Sequence, residues 1–165
     1  MYLYCIYNVV LICILPISAL SPELHGLPNS LQIATKGTLG NGGVKVWIND
    51  DYYFTDLPDY LKGVNFFRIC YYDLSCVKTS SLNIRIYHPS TIYIARHLTA
   101  YGGGIINNLT HNGWAKTPGA AGTSWYPLNT ILTKTFLGHG PKTIQLGAVN
   151  EPMVIVIFVK RKTLT

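Results

Sequence analysis

Acidic side chains are scarce. Seven Asp plus Glu stand against thirteen Lys plus Arg in 165 residues, and charged residues make up only 12% of the chain. So low a charged share excludes a disordered, solvating protein, and the length bounds the chain to one domain able to bury a core without metals or many disulfides. Glycoside hydrolysis by paired carboxylates needs two acids flanking a cleft. Here Asp50, Asp51, Asp56 and Asp59 crowd into one segment, while Asp73 and Glu151 stand alone. The sequence has no His-x-x-x-His pair and no Gly-x-Ser-x-Gly elbow, and Gly102-Gly103-Gly104 lacks the Lys-Ser/Thr of a phosphate loop. We therefore expect no enzyme. The net charge is +6, yet basic residues are scattered singly until Lys160-Arg161-Lys162, so the clustered stripe of a nucleic-acid binder is missing too.

Charge is also absent from the first twenty residues. Val9 to Leu15 is an apolar run of signal-peptide length, followed by Pro16, Ser18 and Ala19, and residues 1–20 read as a secretory signal cleaved near Ala19. The missing basic n-region leaves a retained anchor as the alternative. Cleavage predicts a secreted, extracellular protein with no membrane span in its mature form. Of four cysteines, Cys5 and Cys13 would leave with the signal, and Cys70 and Cys76 would remain as a pair in an oxidising compartment. A Cys70–Cys76 disulfide is expected, with two unpaired thiols as the alternative. Asn108-Leu109-Thr110 is a glycosylation sequon, placing a glycan on Asn108.

Long helical patterns are lacking as well. Residues 21–43 carry Pro22, Pro28, Gly37, Gly40, Gly42 and Gly43 with little periodicity, and predict an irregular N-terminal arm or early edge strand. From Val44 to residue 160, short β-branched and aromatic segments recur between turn signals, the pattern of an antiparallel all-β sandwich. The expected strands are Val44–Ile48, Tyr52–Phe54, Asn65–Cys70, Ser81–Tyr87, Thr91–Arg96, Ile131–Phe136, Thr143–Leu146 and Met153–Val159. The last is an unbroken apolar run, which predicts a strand buried on both faces. Asp56 to Gly63 predicts a single helical or 3₁₀ turn, capped by Asp56 and ended by Gly63. Tyr101 to Gly122 is a long Gly/Asn/Thr/Pro-rich excursion, a length that usually accompanies function.

Several motifs in order, Leu57-Pro58-Asp59-Tyr60-Leu61-Lys62-Gly63, Phe67-Arg68-Ile69, Ser90-Thr91-Ile92-Tyr93-Ile94-Ala95, Gly113-Trp114 and Lys142-Thr143-Ile144-Gln145-Leu146-Gly147, resemble the galactose-binding-like (jelly-roll) β-sandwich module of secreted and cell-surface proteins. The resemblance covers roughly residues 44 to 159. It implies a jelly-roll sandwich that, where it binds, takes carbohydrate on exposed aromatics and polar loop groups. The sequence departs from the pattern in its Tyr101 to Asn112 Gly/Asn loop and in the close cysteine pair.

A sugar site needs flat aromatic faces for the apolar side of a pyranose, with polar groups for its hydroxyls. Trp125, Tyr126, Trp114 and Tyr101 are the candidate stacking surfaces, and Asn112, His111 and Arg96 the polar partners. Trp47 and Trp114 also suit core positions, because Trp is usually well buried. Asp50, Asp51, Asp56 and Asp59 have the oxygen chemistry for a structural calcium ion, although a solvated turn and a helix cap account for the same residues; no other cofactor is expected. The function expected is a lectin-like module recognising an extracellular glycan or matrix component. The alternative is a self-associating structural component of a matrix, coat or filament.

Overall fold

A computed structural model describes residues 20–25, 29–40, 42–69, 81–97, 109–148 and 155–163. Residues 1–19, Cys70 and Cys76, Tyr101 and the Asn108 sequon lie outside the described residues. Eleven strands lie among the described residues: β1 (Glu23–His25), β2 (Asn29–Ile33), β3 (Phe54–Asp56), β4 (Asn65–Ile69), β5 (Ser81–Ile86), β6 (Ser90–Arg96), β7 (Ala115–Thr117), β8 (Gly122–Thr123), β9 (Thr130–Phe136), β10 (Lys142–Ala148) and β11 (Ile155–Arg161). Their pairing is antiparallel throughout, in a six-stranded sheet of order β2-β4-β11-β6-β9-β7, a three-stranded sheet β1-β5-β10 and a two-stranded ribbon β3-β8. The chain is an all-β sandwich, as its short alternating segments predict. Among the described residues no helix is long and apolar enough to cross a membrane.

The unbroken apolar run places β11 at the centre. It lies between β4 and β6, and Ile155 to Val159 are all buried, which requires cover on both faces of the sheet. On one face Phe158 meets Phe66 and Phe54, with ring centroids 5.8 and 5.9 Å apart. On the other, Val159 and Asn65 share a cleft with Ile86 of β5, so the three-stranded sheet covers that side. By strand alternation β5 turns Leu82, Ile84 and Ile86 inward and leaves Ser81 and Arg85 outside.

Of the two readings for residues 21–43, the edge strand is the one found among the described residues: β1 and β2 are edge strands of the two larger sheets, Leu24 and Ala34 are buried, and the Gly63 amide donates to the Ala34 carbonyl at 2.8 Å. Edge strands are held by backbone hydrogen bonds on one side and need little side-chain periodicity, which is why the pattern is silent there. Val44–Ile48, in contrast, forms only isolated bridges, Lys45 to Tyr53 and Trp47 to Ile69. Val46 and Trp47 are adjacent and both fully buried, and a regular half-buried strand cannot point neighbours to the same side. The turn at Asp56 to Gly63 is a 3₁₀ element, Asp59–Leu61, followed by Gly63 at φ +75°. Asp56 does not cap it: the N-cap is Pro58, with no side-chain cap, and the Asp56 carboxylate, too far back in the chain, accepts the Leu57 amide at 2.8 Å instead.

Gly43 shows how tightly the N-terminal segment is tied in. A Cβ added there would sit 2.1 Å from the Thr38 carbonyl oxygen, which accepts the Val44 amide at 3.1 Å. Gly43→Ala must therefore open this turn, and we expect a loss of roughly 2 kcal/mol or more in the cooperative unfolding transition measured by denaturant titration. A loss confined to local fraying, with the main transition unmoved, would show that the segment is not integral.

The Tyr60 and Tyr93 rings meet at a tilt of 33° with centroids 5.4 Å apart, and the Tyr60 hydroxyl donates to the Pro118 carbonyl at 2.8 Å. Burial raises both phenols above their ordinary value of 10.0, with the neighbouring Tyr93 adding to the effect on Tyr60. A phenol raised in the folded state adds stability that is fully present below the unfolded value and is lost as pH rises through the folded one. Unfolding free energy should thus fall above about pH 10, and the Tyr60→Phe/Tyr93→Phe pair should flatten that slope. An equal alkaline slope in the double variant would remove these phenols as its cause.

Candidate functional site

The strand ends Ile69, Ile155, Arg96 and Thr130 lie side by side across β4, β11, β6 and β9, and form one rim of the six-stranded sheet. Trp47 donates its indole N–H to the Ile155 carbonyl at this rim (3.2 Å) and meets Tyr52 edge-on at 6.2 Å. Tyr52 stacks on Trp125, with centroids 5.5 Å apart and planes 18° from parallel. Trp125 meets Tyr126 at 4.2 Å, and Tyr126 meets His97 at 5.1 Å. Four partly or largely exposed rings, Tyr52, Trp125, Tyr126 and His97, thus run in contact along one end of the sandwich. Trp125 is 41% exposed and Tyr126 45%.

Local chemistry explains why the tip presents these two rings. Ala121 and Leu128 exchange backbone hydrogen bonds of 3.0 and 2.8 Å, closing a loop around residues 122–127. Inside it the buried Thr123 hydroxyl donates to the Tyr126 carbonyl at 2.6 Å and accepts the Trp125 and Tyr126 amides at 3.3 and 3.1 Å. Ser124 ties the loop to Tyr53, its amide donating to the Tyr53 carbonyl at 2.9 Å and its hydroxyl accepting the Tyr53 amide at 3.2 Å. A Thr whose hydroxyl serves the backbone two and three residues on is a recognised local motif. That spacing, Thr123 to Tyr126, is a signal the sequence itself carries for the loop. Tyr52 and His97 carry no such signal, because only tertiary packing brings them to the same rim.

The rim also holds polar atoms in need of partners. Among the described residues Arg96 Nε and Asn129 Oδ1 are buried without a hydrogen bond. Burial lowers the Arg96 guanidinium from its ordinary value, although it keeps its charge at neutral pH. Arg96 alternates with Tyr93 and Ala95 along β6, so it borders the rim from the side of the three-stranded sheet.

The expected stacking and polar residues therefore separate into groups. Trp125, Tyr126 and Arg96 belong to one rim. Trp114 is 6% exposed, packs edge-on against Phe136 at 6.3 Å and offers no face to a ligand; a Gly-Trp after a loop here serves the core. His111 and Asn112 lie in the short turn around residues 109–112, and Lys134 of β9 donates to the Asn112 carbonyl. Lys134 is four residues from Thr130, about 13 Å along the strand, so this turn stands apart from the aromatic rim. Tyr101 lies outside the described residues.

The four aspartates do not form a cage either. Asp51 pairs with Lys45, Asp59 pairs with Lys62 at 2.7 Å, Asp50 accepts the Asp51 amide at 2.7 Å, and Asp56 accepts the Leu57 amide. The hydrogen-bonded ammoniums of Lys45 and Lys62 hold the Asp51 and Asp59 carboxyls below the ordinary carboxylate value. Each acid is committed to its own turn or cation, and among the described residues no three His, Cys, Asp or Glu side chains converge as metal ligands.

No protein-family model matches the sequence, and no curated protein matches it. Among solved structures the chain is similar to a β-glucuronidase from glycoside hydrolase family 2, with a TM-score of 0.55 and 14% sequence identity. The match covers 82% of this chain and 14% of that one. At this identity the likeness is one of fold: the all-β sandwich described here has the architecture of one segment of that larger protein.

Proposed function

We propose that this chain is a secreted, non-enzymatic carbohydrate-binding module of the galactose-binding-like kind, which recognises an extracellular glycan on the Tyr52, Trp125, Tyr126 and His97 rim. One observation carries the proposal: the Thr123 motif and the Ser124–Tyr53 bonds fix the loop that leaves Trp125 and Tyr126 exposed, where every other Phe, Tyr and Trp among the described residues is buried or half-buried. An ordered aromatic surface stacks on a pyranose with little conformational entropy to lose. The fold likeness to part of a β-glucuronidase supports a carbohydrate context. The test is a glycan and polysaccharide screen on folded protein, run with calcium and again with chelator. Saturable binding that survives chelation is expected, because the aspartates are individually engaged. No binding by folded protein would favour a self-associating structural role, for which the edge strand β2 and its exposed Ile33 provide a surface.

A further inference from the structure

Between Asp73 and Glu151 the sequence contains no acidic residue, and this stretch supplies β5 to β10. Strand register decides where its cations collect. Ser90 pairs with Phe136 on one side and with Arg161 on the other, so β9, β6 and β11 end together at the pole opposite Trp125. The seven residues of β6 separate the two poles by about 20 Å. In the facing sheet Lys142 pairs with Ile86, an inward position, and its ammonium reaches across to 5.2 Å from the Phe136 ring centroid. Lys134 approaches the same ring at 5.8 Å while donating to the Asn112 carbonyl. The Lys162 amide donates to the Pro89 carbonyl at 2.8 Å, which holds the basic tail against this end. One phenyl ring therefore gathers two lysines from different sheets, beside the strand that ends in Arg161 and Lys162.

A cleft of about 180 Å³ lies between the sheets at this pole, lined by Asn65, Tyr87, His88, Ser90 and Arg161 among others. His88 Nε2 is buried and makes no hydrogen bond among the described residues. The neighbouring carboxylate, Glu23, is taken up by the Tyr87 hydroxyl at 2.8 Å and by His25 at 3.4 Å.

We propose that this basic pole binds an acidic polysaccharide, a chain bearing sulfate or carboxylate groups, with Lys134, Lys142, Arg161 and Lys162 as the cationic contacts. The site is separate from the aromatic rim and does not rest on it. Arg161 lines the cleft and Lys142 is the strand partner of Ile86 in its wall, so cations border polar groups here, a setting that suits a ligand with discrete anionic and hydroxyl groups. Phe136 is flanked by two lysines and gives no open face for stacked bases, and a bilayer would need more apolar surface than the single exposed Leu137 nearby.

The test is titration of the full chain with heparin, in parallel with a short DNA duplex and with phosphatidylserine-containing vesicles. Heparin binding should be saturable and should weaken steeply as sodium chloride rises from about 0.05 to 0.5 M, because exposed charges are screened over that range. Lys134→Glu/Lys142→Glu should weaken it at least about tenfold, and Trp125→Ala should leave it unchanged. Should the reversed pair fail to fold, Lys142→Gln/Lys162→Gln, at two exposed positions, should still weaken binding several-fold. Absence of heparin binding, equal binding by a folded charge variant, or tighter binding to duplex or vesicle would each overturn the proposal.

Discussion

Trp125→Ala should lower glycan affinity by about thirtyfold, the effect of removing a central aromatic anchor worth roughly 2 kcal/mol, and leave the protein folded. Its indole is the middle member of the exposed row, stacked on Tyr52 and in edge contact with Tyr126. Losing it removes the largest apolar face from the rim and the support of both neighbours. Because Trp125 is 41% exposed and the backbone of the loop is held by Thr123 and Ser124, folding stability should change little. His111→Ala serves as the control, since that turn lies away from the rim and its loss should not alter affinity. A folded Trp125→Ala protein that binds glycan as tightly as the parent would remove this rim as the site. Measured affinities should be paired with thermal unfolding of each variant, so that lost binding is not confused with lost fold.

Phe158→Ala should cost about 3–5 kcal/mol in unfolding free energy, the largest stability effect anticipated for a single side chain here. Phe158 is fully buried at the middle of the central strand, between Phe54 and Phe66, and the T-shaped contact of those two at 5.1 Å closes the cluster. Truncation leaves a cavity that β4, β6 and the β3 ribbon cannot all fill, because each is also fixed by its ladder bonds. For a domain of this size such a loss lowers the melting temperature by roughly 10 °C or more. Calorimetry decides the matter: a drop of less than about 1 kcal/mol would mean the aromatic layer collapses around the gap.

Composition and periodicity are enough to predict an antiparallel all-β sandwich. Ser81 to Tyr87 alternates with period two, Ile155 to Val159 is apolar at every position, and each pattern has one low-energy answer: a half-buried strand for the first and a central strand for the second. Local chemistry likewise marks the Asp59–Leu61 turn and its closing Gly63. These features are carried by neighbours in sequence, so the sequence by itself determines them. The edges and the site are different in kind. β1 and β2 join the sandwich through backbone hydrogen bonds that side-chain patterns do not report, and Val46 and Trp47 are buried side by side against alternation. Trp125 and Trp114 look alike as residues, yet the first stands on a clasped loop in solvent and the second packs on Phe136. Tyr52, Trp125 and His97 come from three separate segments, and Lys134 and Lys142 come from different sheets to reach one ring. Only the tertiary structure decided those meetings, because a contact between residues far apart in sequence depends on register and sheet packing that no local propensity encodes.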